Sequence, residues 1–184
     1  TTPDTSIGSG LSTNDPIGPR APKGAAAIDT FYFPFNPGNG VSAEKIDLLI
    51  GDVPQNWAAS ACNASPGLAN CSAMSGSSET QFSATGIIIS EVMANAKVES
   101  RGEFIELFNG GPSGVDVQGW VITDGDAVDT IQSFNGGSTL ISPGQFAVIL
   151  DPDYTTNTYY FPAGTVKLTV GDSTLGNGLT TTDP

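Results

Sequence analysis

Short apolar runs separated by turn-forming residues dominate the pattern of hydrophobic and polar positions. Three runs, Ile87–Met93, residues 103–108 and residues 120–123, have the length of β-strands, and Gly, Asn, Pro and Ser fill the loops between them. Apolar and acidic residues partly alternate in residues 103–108, which predicts a strand with one buried face. Trp120 follows Gly119 directly, which suggests close approach of the backbone at a core edge. No segment of helical period exceeds about two turns, so the pattern predicts an all-β fold.

Length and composition fit this interpretation. A chain of 184 residues forms one large or two small domains. Its 23 glycines and 13 prolines predict short strands joined by many turns. No apolar run approaches the roughly 20 residues of a membrane span. The sequence does not begin with a charged and then apolar signal peptide, so we expect any such segment to have been removed or to lie outside it.

The charge balance is strongly acidic. Six Lys and Arg against 19 Asp and Glu give a net charge of −13, which opposes binding to nucleic acid because no basic patch can form. The acidic balance suits a solvated extracellular surface or the binding of multivalent cations. The absence of histidine removes the commonest general base and transition-metal ligand. We find neither a nucleophile motif nor a phosphate loop followed by a helix, so the sequence predicts no enzyme activity.

Cys62 and Cys71 bracket a Pro-Gly turn, and this short spacing predicts a local disulfide. Such a bond indicates an oxidising, extracytoplasmic compartment. Two buried reduced cysteines are the alternative. Two glycosylation patterns, Asn63-Ala64-Ser65 and Asn70-Cys71-Ser72, fall in the same region, and we interpret both as polar turns because this pattern is common by chance.

Several motifs in residues 87–150 occur in the order typical of one known family. The motifs are Ser90-Glu91-Val92, Glu103-Phe104-Ile105-Glu106-Leu107-Phe108-Asn109, Val115-Asp116-Val117-Gln118-Gly119-Trp120, Ile122-Thr123-Asp124 and Leu140-Ile141-Ser142-Pro143-Gly144 before an apolar strand. Together they resemble the start of the lamin-tail domain, an immunoglobulin-like β-sandwich. Glu91 and Glu106 match landmarks of that family, and we expect them to form hydrogen bonds between strands and loops rather than to act in catalysis.

Residues 17–72 resemble the second half of the same family. The matching stretches are Gly40-Val41-Ser42-Ala43-Glu44-Lys45-Ile46-Asp47, Asn56-Trp57-Ala58-Ala59-Ser60 and Ser65-Pro66-Gly67-Leu68-Ala69-Asn70. Lys45 stands where Arg is usual, and Ser65 where Thr is usual. The resemblance therefore predicts that residues 1–72 form the second half of a sandwich and residues 87–184 the first half, with 73–86 as a Ser/Gly/Thr-rich linker.

The two ends of the chain are similar at an offset of 168 residues. Residues 1–16 and 169–184 share Asp, Gly, Thr and Asp-Pro positions, and Ile7 and Leu11 correspond to Leu175 and Leu179. A long period of this kind is the mark of a tandem array or a circular permutation. The halves then pair either within one chain, as a permuted sandwich, or between neighbouring units, with these four apolar residues in the exchanged strand.

Two acidic stretches are candidates for a calcium site. Asp124, Asp126 and Asp129 form one, and Asp151 and Asp153 form the other. Calcium takes six to eight oxygen ligands, and Asp-x-Asp loops supply several of them. Acidic turns in which Asp caps the backbone are the competing interpretation. Paired Glu103 and Glu106 are a poor acid-base pair, because an offset of three places them on opposite faces of a strand.

The sequence points to a non-catalytic extracellular or cell-surface protein, a repeat or subunit of a filament that assembles with copies of itself. The 168-residue period and the split fold carry this hypothesis. The alternative is a glycan- or calcium-dependent binding module of a larger secreted enzyme. Aromatic clusters at residues 31–35 and 154–161 offer rings for stacking on sugars wherever they are exposed, although alternate rings are expected to fill the core.

Overall fold

The computed structural model describes residues 17–22, 28–73, 86–123, 128–155 and 158–171. The fold is all-β, as predicted, and these ranges contain one short helix, α1 (Glu99–Gly102), and two 3-10 turns, Pro54–Asn56 and Phe134–Gly136. The strands in chain order are β1 (Gly18–Arg20), β2 (Ala43–Lys45), β3 (Trp57–Ala59), β4 (Ile87–Met93), β5 (Phe104–Asn109), β6 (Val115–Asp116), β7 (Val121–Thr123), β8 (Val128–Ser133), β9 (Leu140–Ile141), β10 (Phe146–Leu150) and β11 (Val166–Val170). Within the described ranges, no helix has the length and apolar character needed to cross a membrane.

Nine of these strands form one sheet. Its order is β1-β7-β8-β11-β10-β5-β4-β2-β3, and β6 pairs with β9 in a separate two-stranded sheet. Strand β2 runs antiparallel to β4, with Ala43 opposite Val92 and Glu44 opposite Glu91. Strands from both sides of residues 74–85 therefore share one sheet. The division of the chain into halves of a permuted or tandem fold stays a prediction.

Phe31 connects the two edges of this sheet. It forms a β-bridge with Ile17, which directly precedes edge strand β1. Its ring lies 4.3 Å from the ring of Trp57 on β3, the strand at the opposite edge. The sheet therefore curls around the main core, in which Ile17, Phe31 and Trp57 pack with apolar residues of the central strands. This curled arrangement agrees with an immunoglobulin-like fold.

The central strand β5 is buried on both faces, and the expectation of one buried face was wrong. Ile105 and Leu107 face the main core. Phe104 faces a second apolar cluster with Met93, Val148 and Leu150, which is covered by aromatic rings from the segment after β10. All six residues of β5 are buried. The acidic residue inside this strand, Glu106, is therefore an internal group and not a solvent-facing one.

Gly119 has a different role from the one predicted. Its φ of +76° lies in the left-handed region, and a Cβ added there would meet no atom within 4 Å. The turn therefore requires glycine for its backbone conformation and not for close approach. The Ile131 carbonyl accepts a hydrogen bond from the Gly119 amide, and the Ile131 amide donates one to the Trp120 carbonyl. The half-buried Trp120 ring packs against the main core.

Candidate functional site

Three fully buried glutamates form a row across the sheet. Glu44 on β2 lies opposite Glu91 on β4, and Glu91 lies opposite Glu106 on β5. A β-bulge between Ile89 and Glu91 shifts the alternation of β4, so Glu91 lies on the same face as Met93 while Val92 faces the main core. Because neighbouring strands lie about 5 Å apart, three carboxyl groups are crowded on one buried face.

The segment that covers this row is the disulfide loop, residues 60–73. The Cys62–Cys71 disulfide predicted from the sequence closes it. Three backbone amides of the loop donate to the row: Ser65 to Glu91 Oε1 at 2.9 Å, Gly67 to Glu106 Oε2 at 2.5 Å and Ser72 to Glu44 Oε2 at 2.8 Å. Each glutamate therefore holds one point of the loop against the sheet. The disulfide itself indicates an oxidising compartment.

Serine hydroxyls complete the contacts of the carboxyl groups. Ser42 Oγ lies 2.5 Å from Glu91 Oε1, and Ser90 Oγ lies 2.6 Å from Glu106 Oε1. Ser65 Oγ contacts two carboxyl groups, Glu44 Oε1 at 2.7 Å and Glu91 Oε2 at 3.2 Å. All six carboxylate oxygens of the row thus have a polar partner within the described residues, which agrees with the structural role predicted for Glu91 and Glu106.

Burial dominates the electrostatics of two glutamates in the row. Burial raises the pKa of Glu91 to about 7, although the donors from Ser42 and Ser65 act in the opposite direction. Burial, followed by the negative charge of Glu91, also raises the pKa of Glu106 well above its ordinary value. Among the described residues, no Lys or Arg forms an ion pair with the three glutamates. Glu91 and Glu106 therefore favour their protonated forms more than an ordinary glutamate does.

A second group of acidic side chains lies beside Lys45, which points away from Glu44 because neighbouring residues in a strand face opposite sides. The Lys45 ammonium is 2.7 Å from Asp52 Oδ1 and 5.5 Å from the centre of the Trp57 ring. Asp29 accepts a hydrogen bond of 2.7 Å from the amide of Ile89. Burial, followed by a hydrogen bond with Asp52, raises the pKa of Asp29 to about 7.

The two sequence patterns for glycosylation differ in their surroundings. Asn70 is buried, and its Nδ2 donates to the carbonyls of Lys45 and Ser90, both at 2.8 Å. This amide joins β2 to β4, so Asn70 serves as a structural residue in the folded protein. Asn63 is exposed in a left-handed conformation with a φ of 74°, and its carbonyl accepts a bond from the Ser42 amide.

The calcium hypothesis stays untested. Asp151 is buried, its Oδ1 accepts the amide of Asp153 at 2.8 Å and its carbonyl accepts the amide of Tyr154, which are contacts of an aspartate-capped turn. Asp129 is buried within β8, and Asp124 and Asp126 lie outside the described residues. The one three-residue ligand group found in the described ranges, Glu44 with Cys62 and Cys71, offers no thiolate because its cysteines form the disulfide.

The residues predicted to form an exchanged strand cannot be compared with the structure. Ile7, Leu11, Leu175 and Leu179 all lie outside the described residues. Their role as an inter-unit strand therefore remains a prediction from the sequence.

A surface cleft of about 320 Å³ borders the disulfide loop. Residues 62–66 and Leu68 form one side, and Lys97 with residues 158–160 forms the other. Tyr159 packs inward and donates a 2.5 Å hydrogen bond to the Gly102 carbonyl, whereas Tyr160 is 77% exposed. We call this surface the tyrosine cleft. The sequence predicts the aromatic cluster at residues 154–161 but not its position beside the disulfide loop, because that proximity depends on the tertiary fold.

Comparison with known proteins gives a family assignment. The family model described as the Lamin Tail Domain matches residues 80–182, more than half of the chain, and these residues contain β4 to β11. Searches of the curated proteins and of the solved structures returned no match. Lamin tail domains are immunoglobulin-like and non-enzymatic, which agrees with the curled all-β sheet and with a structural or binding module. The chain therefore belongs to the lamin tail domain family.

Proposed function

We propose that this lamin tail domain protein is a structural unit of an extracellular filament or fibre. In this proposal, neighbouring units complete each other's β-sandwiches, and the exchanged strand includes Ile7, Leu11, Leu175 and Leu179. The observation that carries the proposal is the pairing of β2 with β4. It joins a segment before residue 74 to the segment matched by the family, across a connection of residues 74–85.

A long connection between paired segments permits exchange. The same contacts between β2 and β4 form whether the two strands come from one chain or from two copies, so a sandwich that closes within a chain also closes between chains. The similarity of residues 1–16 to residues 169–184 favours the second arrangement, because repeated ends are expected of an array. The Cys62–Cys71 disulfide supports an extracellular location.

Cysteine cross-linking between chains tests strand exchange. Ala43 and Val92 are opposite each other in the β2–β4 ladder, at a separation suited to a disulfide. We expect an Ala43→Cys chain refolded together with a Val92→Cys chain to form a covalent heterodimer on oxidation. Non-reducing gel electrophoresis and the mass in solution give the result.

The matched control pair is Tyr32→Cys with Val128→Cys, two exposed positions that no ladder brings together. This pair should remain uncross-linked. The exchange hypothesis fails if the first mixture yields only monomers while a single chain carrying both Ala43→Cys and Val92→Cys cross-links internally. That outcome leaves a monomeric, permuted sandwich.

The tyrosine cleft favours a second candidate function, the binding of glycans. Sugar rings stack on exposed aromatic faces, and Tyr160 presents such a face beside the polar groups of Lys97 and Thr158. In this alternative, the protein is a glycan-binding module, and it does not need to assemble with copies of itself.

If the cleft binds a glycan, Tyr160→Ala should weaken the affinity about tenfold because it removes the stacking surface. The measurement is titration calorimetry with the oligosaccharides that the wild-type protein retains on a glycan array. Tyr32→Ala removes another exposed tyrosine away from the cleft lining and should leave the affinity unchanged. Absence of retained glycans, or equal affinity of both variants, contradicts this function.

A further inference from the structure

The Ser65 hydroxyl lies between two carboxyl groups, and it has only one proton to donate. Its Oγ lies 2.7 Å from Glu44 Oε1 and 3.2 Å from Glu91 Oε2. A hydroxyl group has one O–H and two lone pairs, so it donates to a single acceptor at a time. The shorter distance assigns the Ser65 proton to Glu44. The remaining contact, between Ser65 Oγ and Glu91 Oε2, then lacks a proton if Glu91 is ionised.

The other oxygen of Glu91 already has its donors. Oε1 receives the Ser42 hydroxyl at 2.5 Å and the Ser65 amide at 2.9 Å. A proton on Oε2 therefore fits the geometry, because Glu91 then donates to Ser65 Oγ and Ser65 donates to Glu44. In this arrangement, each of the two contacts of Ser65 Oγ contains one proton.

We propose that Glu91 carries a proton in the folded protein and that this proton fastens the disulfide loop to the sheet through Ser65, so that ionisation of Glu91 loosens the loop. The loop contributes both the hydroxyl and the amide of Ser65 to Glu91. Ionisation replaces the hydrogen bond to Ser65 Oγ with a contact between lone pairs. It also adds a charge between two other acidic groups in a buried row.

Among the residues that the structure describes, the groups that face Glu91 provide no compensating cation. Glu44 faces it from β2, Glu106 from β5 and the phenol of Tyr159 from the segment after β10. Burial raises the pKa of Tyr159, so this phenol stays neutral at neutral pH. The disulfide loop presents serine hydroxyls and backbone amides, and the Lys45 ammonium pairs with Asp52 beyond the other face of β2.

The direction of the pH response follows from the protonation of the two states. The pKa of Glu91 is about 7 in the folded state, against 4.5 for an ordinary glutamate. Between these values the folded protein holds a proton that the unfolded chain has released, so the stabilising effect is complete below 4.5 and declines as pH rises through 7. The disulfide loop also lines the tyrosine cleft, so its loosening alters one side of that surface.

Two measurements test whether the Glu91 proton holds the disulfide loop against the sheet. Carbon-13 NMR of the Glu91 carboxyl group in the wild-type protein should show a midpoint near 7 instead of 4.5. Hydrogen exchange of the Ser65 and Gly67 amides, corrected for base catalysis, should accelerate about tenfold or more between about pH 5.5 and about pH 8.5. Glu91→Gln places an amide N–H where the proton lies, and should keep this change below about twofold.

Asp29→Asn is the matched control. Burial and Asp52 also raise the pKa of Asp29 to about 7, but its carboxyl group contacts the Ile89 amide and not the disulfide loop. This variant should reduce the pH dependence of global unfolding and retain the tenfold response of the loop amides. A Glu91 midpoint near 4.5, or loop exchange in the wild-type protein that does not respond to pH, would overturn the proposal.

Discussion

Replacing Phe31 with alanine should lower the free energy of unfolding by about 4 kcal/mol, the cost typical of removing a fully buried phenylalanine. The side chain is completely buried, and it contacts three parts of the main core. Its backbone pairs with Ile17, and its ring lies 4.3 Å from Trp57 and 4.6 Å from Phe33. Truncation leaves a cavity where the two edges of the curled sheet meet, and close-packed surroundings relax only partly around such a cavity.

The neighbouring Tyr32 provides a control of the same backbone segment. It is 61% exposed, so Tyr32→Ala should change the free energy of unfolding by less than about 0.5 kcal/mol. Urea denaturation monitored by tryptophan fluorescence measures both variants. Equal small effects of the two substitutions would mean that Phe31 does not join the edges of the sheet in solution.

The Phe31 result also reports on the extent of the cooperative unit. The family match begins at residue 80, yet Ile17, Phe31 and Trp57 supply core contacts from outside the matched region. A loss of several kcal/mol at Phe31, in a single two-state transition, requires that this earlier segment and the matched region unfold together. Two separate transitions would instead indicate that the segment before residue 74 is an independent unit.

The sequence predicted the local features of this fold well. Apolar runs located β4 at its observed ends and β5 within one residue, and the spacing of Cys62 and Cys71 predicted their bond. These features depend on neighbouring residues in the chain. The burial of both faces of β5 was missed because the second apolar cluster includes Tyr154, Tyr159 and Phe161, which come from a distant segment.

The glutamate row was only partly predictable. The family resemblance marked Glu91 and Glu106 as structural, but it could not bring Glu44 into line with them, because register across three strands depends on tertiary pairing. The bulge after Ile89 is a further obstacle, since it reverses the face on which Glu91 is expected. The structural role of Asn70 could not be predicted for the same reason, because its side chain joins β2 to β4 only once these strands pair.

The disulfide and the glutamate row hold the same loop by different physical means. The row acts in the folded state, where Glu44, Glu91 and Glu106 accept the amides of Ser72, Ser65 and Gly67. The disulfide acts mainly on the unfolded chain, because it removes conformations in which two residues nine positions apart separate. Loss of the bond should therefore lower stability without releasing the loop from the folded sheet.

The double variant Cys62→Ser, Cys71→Ser should lose about 2.5 kcal/mol of unfolding free energy, the loop-closure value for a loop of this size. Chemical denaturation measures this loss, and hydrogen exchange in the absence of denaturant should still show protected Ser65 and Gly67 amides, because their glutamate acceptors remain. The wild-type protein reduced with a phosphine is the control, and it should show the same loss because it differs from the variant only in its thiols. Loss of protection at these amides, with the rest of the sheet still protected, would mean that the disulfide itself shapes the folded loop. The glutamate row would then depend on the disulfide to hold the loop in place.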